Sequence, residues 1–470
     1  MRNTKIVCTV GPATESPRII EKLIRAGMDV ARLNLSFGDR EYHKKLIDII
    51  RKVSKNVGKH VAVLLDLPGP KIRVGKLPTP LTLHRDEVVT LTGSKSQEKS
   101  IKAIPISHPE ILQHLRKDYV IYLADGSIKL NVVEVDDEVR AKVLEGGILA
   151  SYKGVNFPGI SRKITTITKK DIEGLYLGLE KDVEWIALSF VREKGDVERL
   201  KAIMNDEGKY IPVIAKIEKR EAVNNLTSIL EVADGIMVAR GDLGVELPLE
   251  EVPVVQKMAI KMANRMGKPV ITATQMLKSM VVQSQPTRAE VADVANAVLD
   301  GSDAVMLSEE TATGKYPVEA VKMMDKIIRK AETIYPYLQD YPANSVTESI
   351  ARSASRISGE LRADAILTFT RTGASAIQLS RYRPPVPVLT VTHDEKTLRG
   401  LSLIWGCFPL LSVPPENSFD EVIYKTIYEG LQKGILRENG WIVITSGFPF
   451  GEPGTTNTIK VLKVDDVVKG

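Results

Sequence analysis

The segment Val61-Ala62-Val63-Leu64-Leu65-Asp66 is apolar throughout except for its final aspartate, and Leu67-Pro68-Gly69-Pro70 follows it. An uninterrupted apolar run of this length is typical of a strand buried on both faces of a parallel sheet. The Pro-Gly-Pro sequence can continue neither a helix nor a central strand. The segment therefore predicts a buried parallel strand, after which the regular pattern of the chain is interrupted.

Strand–helix units flank this interruption on both sides. Upstream, strands are predicted at Lys5–Val10 and Val30–Asn34, with helices at Pro17–Ala26 and Tyr42–Val57. Five strands follow downstream, each separated from the next by a helical segment: Trp185–Phe190, Pro212–Ile217, Gly235–Ala239, Pro269–Thr274 and Asp303–Leu307. Eight parallel β/α units favour a closed (β/α)8 TIM barrel, and an open doubly wound sheet is the alternative.

We expect an α/β protein of three domains. Residues 1–69 and 159–340 would form the barrel. Residues 70–158, with short alternating stretches joined by Gly, Asp and Ser, would form an inserted small β-barrel. A proline-containing linker at Tyr335–Asn344 would lead to a C-terminal α/β domain, 345–470, with strands at Ala365–Thr370, Val386–Thr392, Trp441–Thr445 and Ile459–Val464.

Composition narrows the class of protein. The chain has 470 residues and a net charge of only +6, with basic and acidic residues interspersed, so we expect no nucleic-acid partner. No apolar run approaches the ~20 residues that span a bilayer, and the N-terminus lacks a signal-peptide pattern, so we expect no membrane association and a cytoplasmic location. Cys8 and Cys407 lie in apolar strand-like runs and are expected to be buried thiols.

In a TIM barrel the carboxyl ends of the strands form the active-site rim. Seven of the eight predicted strands end in polar or charged residues, and their convergence is more informative than any one of them, since a single polar residue there usually just enters solvent. The residues are Arg32, Asn34, Ser36, Asp66, Ser189, Lys216, Glu218, Gly241, Asp242, Thr274 and Ser308, with Arg73 shortly after the third strand.

These residue types favour phosphoryl transfer. Lys216 and Glu218 are two residues apart and share a strand face, either as a buried ion pair or as a cation beside a metal-binding carboxylate. Glu218 and Asp242, from neighbouring strands, suit Mg²⁺, which seldom takes a full protein cage. Arg32 and Arg73 suit phosphate oxygens. No histidine lies among the strand ends, which argues against histidine-based or zinc chemistry.

At this point the motifs resemble those of the pyruvate kinase family. The resemblance lies in Lys5–Pro12, Ala31–Ser36 with Gly38, Lys153–Gly159, Ala215–Glu218, Met237–Glu246, Ala273–Met280 and Asp303–Thr311 with Gly314. It implies transfer of the phosphoryl group of phosphoenolpyruvate to ADP, giving pyruvate and ATP in the last step of glycolysis. It also implies Mg²⁺ or Mn²⁺ as cofactor, a homotetramer, and an inserted domain that acts as a lid.

The resemblance further implies roles for individual residues. Glu218 and Asp242 would hold Mg²⁺, and Lys216 would lie beside the transferring phosphoryl group and the enolate. Arg32, Arg73 and Ser189 would contact phosphate. Gly241, Asp242 and Thr274 would bind the substrate carboxylate, and Thr274 and Ser308 would protonate the enolate through water. Asn34, Arg73 and Lys153 would bind the nucleotide.

The sequence departs from the family after the third strand. Many members bind K⁺ there with Asn, Ser, Asp and Thr, which correspond to Asn34, Ser36, Asp66 and Leu67, so one hydroxyl is missing. Lys71 stands where Glu is common, and its ammonium group could supply the charge of K⁺. We therefore expect activity without K⁺; the alternative is that Lys71 points to solvent. Phe37 and Glu309 also differ, standing where His and Gly are common.

The C-terminal domain has one candidate anion site. Thr370-Arg371-Thr372-Gly373-Ala374-Ser375 joins a strand to a helix start, where hydroxyls and amides suit a phosphate. The family often binds a phosphorylated allosteric effector there, and the loop Gly447–Thr456 could line the same site. The alternative is an N-cap without a ligand.

Two other functions remain open from the sequence. A magnesium-dependent carbon–carbon lyase on a similar barrel would share Glu218, Asp242 and an arginine, but would need neither a lid nor Lys153. A metabolite-sensing protein without activity would be expected to have lost catalytic positions, whereas Lys216, Glu218, Asp242 and Thr274 are all present.

Overall fold

The structure, a computed structural model, describes residues 1–93, 102–124, 126–136, 138–160, 165–414, 418–449 and 456–468. Eight parallel strands close into a barrel in the order β1-β16-β15-β14-β13-β12-β3-β2, which confirms the predicted fold class. Their bounds are β1 Lys5–Thr9, β2 Val30–Asn34, β3 Ala62–Leu67, β12 Trp185–Leu188, β13 Val213–Ile217, β14 Gly235–Ala239, β15 Val270–Ala273 and β16 Ala304–Leu307.

Helices surround the barrel. They are α1 Pro17–Ala26, α2 Arg40–Val57, α3 Lys169–Glu180, α4 Lys194–Asp206, α5 Arg220–Asn224, α6 Leu226–Val232, α7 Arg240–Glu246, α8 Val252–Arg265, α9 Arg288–Leu299, α10 Glu309–Ala312 and α11 Pro317–Ala331. Ser16 and Thr287 cap α1 and α9 with their hydroxyl oxygens, and α1 begins at Pro17, as the sequence predicts. The sequence pattern does not predict α7 and α10, two short helices that begin directly after strand ends.

The inserted segment forms two small sheets. A six-stranded sheet has the order β11-β7-β8-β9-β5-β6, and a two-stranded sheet pairs β10 with β4. The strands are β4 Leu81–Leu83, β5 Val88–Gly93, β6 Ala103–Ile106, β7 Val120–Leu123, β8 Ile128–Val135, β9 Val139–Glu145, β10 Gly147–Leu149 and β11 Val155–Asn156. Alternate residues face a separate apolar core.

The C-terminal part is a five-stranded sheet, β19-β18-β17-β20-β21, in which only β21 is antiparallel. Its elements are α12 Val346–Glu360, β17 Ala365–Phe369, α13 Ala374–Arg381, β18 Val388–Thr392, α14 Glu395–Gly400, β19 Cys407–Ser412, α15 Phe419–Gln432, β20 Trp441–Ser446, β21 Thr458–Lys463 and α16 Val464–Val468. The four strands predicted here are present, and the apolar run that contains Cys407 adds β19.

Side chains fill the barrel interior below the active-site rim. Alternate strand residues such as Val30, Leu64, Ile214 and Met237 point inward and form one apolar cluster with residues of the C-terminal sheet. The other strand residues pack outward against the helices. Because the foot of the barrel is packed in this way, the opposite rim is the open end at which polar groups can meet.

Candidate active site

Four charged side chains form a network on the inner face of the barrel rim. The Arg32 guanidinium lies 2.6 Å from Asp66 Oδ2. Lys216 Nζ lies 3.2 Å from Asp66 Oδ1 and 2.8 Å from Glu218 Oε1. All four residues are buried. Residues two apart along a strand face the same way, so β2, β3 and β13 bring these groups together inside the barrel.

The electrostatics of this network keep Lys216 charged. Burial by itself would lower the pKa of Lys216, but the carboxylates of Asp66 and Glu218 outweigh burial and raise that pKa above its ordinary value. Burial would raise the pKa of Asp66, yet Lys216 and Arg32 hold it below its usual range. Arg32 and Asp66 therefore act as a fixed ionic support for the Lys216 ammonium group.

Glu218 has the opposite tendency. Burial and then the neighbouring Asp242 carboxylate raise the pKa of Glu218, against the attraction of Lys216. Two carboxylates that repel each other at a buried rim suit a divalent cation, which would relieve the repulsion. Among the described residues there is no group of three or more His, Cys, Asp and Glu side chains that could hold a metal ion. Two carboxylates by themselves would leave positions on Mg²⁺ for substrate or water.

The residues that follow β12 complete the surroundings of Lys216 and Glu218. Lys216 Nζ donates to Ser189 Oγ at 2.7 Å, and Ser189 Oγ donates to the Leu67 carbonyl at 2.6 Å. The Phe190 N–H donates to Glu218 Oε2 at 2.8 Å. Sequence reasoning selected Ser189 but missed Phe190, because a backbone donor leaves no mark in the residue type.

Asp242 lies in the first turn of α7, beside Lys71 and Thr274. Lys71 Nζ is 3.6 Å from Asp242 Oδ1, so Lys71 faces the site rather than solvent alone. The Gly241 N–H donates to Thr274 Oγ1 at 2.8 Å. Thr274 and Gln275 have φ of +71° and +58°, a strained conformation that turns the chain sharply at the end of β15.

Three supporting residues were given no role from the sequence, although Arg240 and Glu310 stand among the predicted strand-end residues. Thr9, the last residue of β1, accepts a hydrogen bond from Arg32 Nη1 at 2.8 Å; the predicted strand ran on to Val10 and hid this polar end. Arg240 donates to the Thr274 carbonyl at 2.7 Å and pairs with Asp293. Glu310 accepts from the backbone N–H groups of Ser308 and Leu277, at 2.8 and 3.1 Å, and so joins the ends of β15 and β16.

The eighth strand end has a buried, unused hydroxyl. Ser308 Oγ is buried and makes no hydrogen bond to any described residue. Glu309 begins α10, is exposed and pairs with Lys278, so this residue type is accommodated by a surface ion pair. The buried, unpaired Ser308 hydroxyl is suited to bind a substrate atom or a water molecule.

The predicted nucleotide-binding residues lie further out. Arg73 lies on the inserted segment, where Nη1 donates to the Tyr152 carbonyl at 3.0 Å and the backbone pairs with Gly154. Lys153 is exposed, and its carbonyl accepts from Val74 N–H. Arg73 and Lys153 are thus neighbours on the stem of the insertion, whereas Asn34 lies on the barrel, where its side chain accepts from Ser36 N–H.

The predicted anion-binding loop lies in the C-terminal sheet, and some of its polar groups hydrogen-bond to neighbouring protein groups. Thr370 Oγ1 accepts from Gly373 N–H at 2.9 Å, and Gly373, with φ +88°, is the N-cap of α13. Ser375 Oγ lies 2.5 Å from Thr456 Oγ1. Arg371 and Thr372 are exposed. Residues 450–455 of the predicted loop Gly447–Thr456 lie outside the described residues.

Both cysteines, Cys8 and Cys407, are buried free thiols. Burial raises the pKa of each thiol, to about 12 for Cys407.

Within the parts of the chain that the structure describes, no helix is both long and apolar enough to span a membrane.

Comparison with known proteins identifies relatives over the whole chain. A family model described as pyruvate kinase, barrel domain, matches residues 1–321, and one described as pyruvate kinase, alpha/beta domain, matches residues 348–462. "Pyruvate kinase 2" of Synechocystis sp. is 45% identical over 468 residues, which are 98% of this chain and 79% of the relative. "Pyruvate kinase" of Sporosarcina psychrophila is 42% identical over 484 residues, covering 100% and 81%, and that of Staphylococcus aureus is 43% identical over 478 residues, covering 100% and 81%.

Proposed function

This chain belongs to the pyruvate kinase family of phosphotransferases, and we propose that it transfers the phosphoryl group of phosphoenolpyruvate to ADP, giving pyruvate and ATP as the last step of glycolysis in the cytoplasm. The observation that carries the proposal is the Lys216 ammonium group held between Asp66 and Glu218, with Asp242 close enough to raise the pKa of Glu218.

Glu218 and Asp242 are the residues that would hold Mg²⁺ or Mn²⁺. When bound, the ion would supply positive charge that stabilises the charge developing on the phosphoryl group and the enolate. The match between one hard divalent cation and two neighbouring carboxylates supports this assignment, since Mg²⁺ usually keeps several positions for substrate and water.

Lys216 and Arg32 stabilise negative charge during the transfer. Lys216 has three N–H donors, and Ser189, Asp66 and Glu218 use all three before substrate arrives. Substrate must therefore displace one of these bonds, after which the ammonium group faces the phosphoryl group and the enolate. Arg32 uses three of its five donors for Asp66 and Thr9, which leaves two for phosphate oxygens.

The ends of β14, β15 and β16 bind the rest of the substrate. Backbone amides of Gly241 and Asp242 and the Thr274 hydroxyl would hold the carboxylate; the Gly241 N–H bond to Thr274 shows that donor and hydroxyl already converge. Thr274 and Ser308 would order the water that protonates the enolate, for which the unpaired Ser308 hydroxyl is suited.

The inserted segment would act as a lid that excludes water and brings Lys153 and Arg73 to the nucleotide phosphates, with Asn34 on the barrel side. The lid would comprise residues 70–158, and the barrel would comprise residues 1–69 and 159–340. Residues 345–470 would form a regulatory and oligomerisation domain. We propose a homotetramer by analogy with the family, and a phosphorylated effector at Thr370, Arg371, Thr372, Gly373 and Ser375.

We also propose that turnover does not require K⁺. The Lys71 ammonium, 3.6 Å from Asp242, supplies a fixed positive charge at the rim and supports this proposal. The hydroxyl missing at residue 67 does not support it, because the Leu67 side chain is buried in the outer apolar core beside Gly174 of α3 and so points away from the side of the strand that Asp66 faces. Assay in K⁺-free buffer, with choline chloride to match the ionic strength, should give most of the activity measured with KCl; a strong K⁺ requirement would contradict this.

The test of the main proposal is an assay in which pyruvate formation from phosphoenolpyruvate and ADP is coupled to lactate dehydrogenase. Wild type with Mg²⁺ should turn over, and Glu218→Gln and Asp242→Asn should lose activity by about 10²-fold or more. Full activity of either variant would refute the metal assignment, and failure of the wild type to turn over these substrates would refute the activity.

A further inference from the structure

Phe190, whose N–H binds the proposed metal ligand Glu218, has an unusual backbone conformation. Its φ is +57°, in the left-handed region that a bulky side chain rarely adopts. In this conformation its N–H points at Glu218 Oε2, 2.8 Å away. Some contact of the side chain must hold the residue there, since the backbone by itself favours other conformations.

Two neighbours hold the Phe190 ring. On one side is Gly69, where a Cβ would lie only 2.7 Å from the ring Cδ2, so the ring packs directly on the glycine backbone. On the other side, Lys219 Nζ lies 5.5 Å from the ring centroid, within the range of a cation–π interaction. Together Gly69, Phe190 and Lys219 form what we call the aromatic clamp.

Each end of the aromatic clamp is itself anchored. Lys219 Nζ is 2.5 Å from Glu246 Oε1, and both side chains are buried, at 6% and 1% exposure. The Gly69 N–H donates to Asp171 Oδ1 at 2.9 Å, and Asp171 is fully buried. In the proposed mechanism neither the Lys219–Glu246 pair nor Asp171 binds the phosphate or the carboxylate of the substrate. The buried Lys219–Glu246 pair therefore has no role in that mechanism.

We propose that Phe190 and Lys219 are positioning residues that fix the Glu218 carboxylate in the orientation required for a divalent cation. The Lys219 ammonium group fixes the Phe190 ring, and the fixed ring keeps the Phe190 backbone in its left-handed conformation. The Phe190 N–H then binds Glu218 Oε2, so that Glu218 Oε1 stays directed at the proposed metal site. The inference rests on the proposed metal-binding role of Glu218. Outer residues of this kind typically change metal affinity when they are lost.

The test measures Mn²⁺ binding without substrates, by titration of free Mn²⁺ with electron paramagnetic resonance. Phe190→Ala removes the ring, and Lys219→Met removes the cation while keeping an apolar chain. Each variant should raise the Mn²⁺ dissociation constant by about 10-fold. Lys219→Arg, which keeps a cation over the ring, should retain most of the wild-type affinity for Mn²⁺. If Phe190→Ala does not fold, Phe190→Leu serves the same purpose, since it keeps an apolar side chain and loses the aromatic face that Lys219 contacts.

Phe157→Ala is the matched control. Phe157, Phe190 and Lys219 all line one cavity between the barrel and the inserted segment, but the Phe157 side chain packs in the core of the insertion. Its loss should leave the Mn²⁺ dissociation constant unchanged; an equal weakening would mean general loosening and would overturn the proposal.

Glu218→Gln separates the two levels of inference. If it binds Mn²⁺ as the wild type does, the metal assignment of the proposed function fails. If it loses Mn²⁺ while Phe190→Ala and Lys219→Met keep the wild-type dissociation constant, the aromatic clamp has no positioning role and the proposed function stands.

Discussion

The Arg383 guanidinium lies 2.8 Å from Asp303 Oδ1, and so joins the C-terminal part of the chain to the foot of the barrel strand β16. Both side chains are buried, at 2% and 5% exposure. Arg383 also donates to Asn264 Oδ1 and to the Gly301 carbonyl, while Asp303 accepts from the Val270 N–H. The pair therefore belongs to a continuous buried network beneath β15 and β16.

Arg383→Met should lower the free energy of unfolding by about 3–5 kcal/mol, because it leaves the Asp303 carboxylate buried without its cation. The measurement is urea unfolding followed by circular dichroism. Arg329→Met is the control, since Arg329 pairs with Asp325 at the surface with 51% exposure, and it should cost less than about 1 kcal/mol. Equal effects of the two variants would contradict this account.

Lys216→Met should lower kcat by about 10³-fold, because the only ammonium group between Asp66 and Glu218 among the described residues is removed from the site of charge development. Steady-state assay with saturating phosphoenolpyruvate and ADP measures the loss. Lys278→Met, which removes an exposed lysine paired with Glu309 on the same rim, should stay close to wild type. A kcat for Lys216→Met within tenfold of wild type would rule out the proposed role.

Lys71→Met should reduce activity in K⁺-free buffer by about 10-fold, equivalent to about 1.4 kcal/mol, because Asp242 loses a cation 3.6 Å away. Lys71→Glu, which replaces this cation with a carboxylate, should regain activity when KCl is added. Titration with KCl, against choline chloride at equal ionic strength, measures both effects. If Lys71→Met retained full activity without K⁺, the charge-replacement hypothesis would be wrong.

Lys5 should make stability depend on pH in the alkaline range. Burial lowers the pKa of Lys5 to about 8, partly offset by Asp29, from 10.5 in an exposed lysine. The unfolded chain therefore binds more protons than the folded one between these two values, and the folded state gains stability as pH rises.

The non-titrating variant Lys5→Met isolates this effect. Its stability advantage over wild type should shrink by about 2 kcal/mol from about pH 8 to about pH 10. Urea unfolding of both proteins at each pH is the measurement, and effects of other titrating groups cancel in the difference. A difference that stays constant or grows over this range would contradict the lowered pKa.

Much of the fold follows from local pattern. The eight barrel strands are mostly apolar, and charged residues such as Arg32 in β2 and Lys216 in β13 stand near their carboxyl ends. An apolar run that ends in a polar residue can therefore be recognised as a barrel strand. Predicted strand ends differ from the observed ones where polar and apolar residues alternate. β1 ends at Thr9, one residue before the predicted end at Val10, and a helix begins at Arg240 directly after β14. The side chains that close each strand were recognisable because the barrel topology directs all carboxyl ends to one rim.

The sequence by itself favoured a barrel over an open sheet and determined the residue types at the carboxyl ends of the strands, because strand periodicity and residue type can be read along the chain; the closure of the barrel is seen in the structure. Only the tertiary structure decided which groups touch. The Phe190 N–H at Glu218, the Lys71–Asp242 approach and the Arg383–Asp303 pair join residues 28 to 171 positions apart, or involve backbone atoms that every residue type shares. Such contacts depend on how packed elements are oriented in space, and no pattern along the chain encodes that orientation locally.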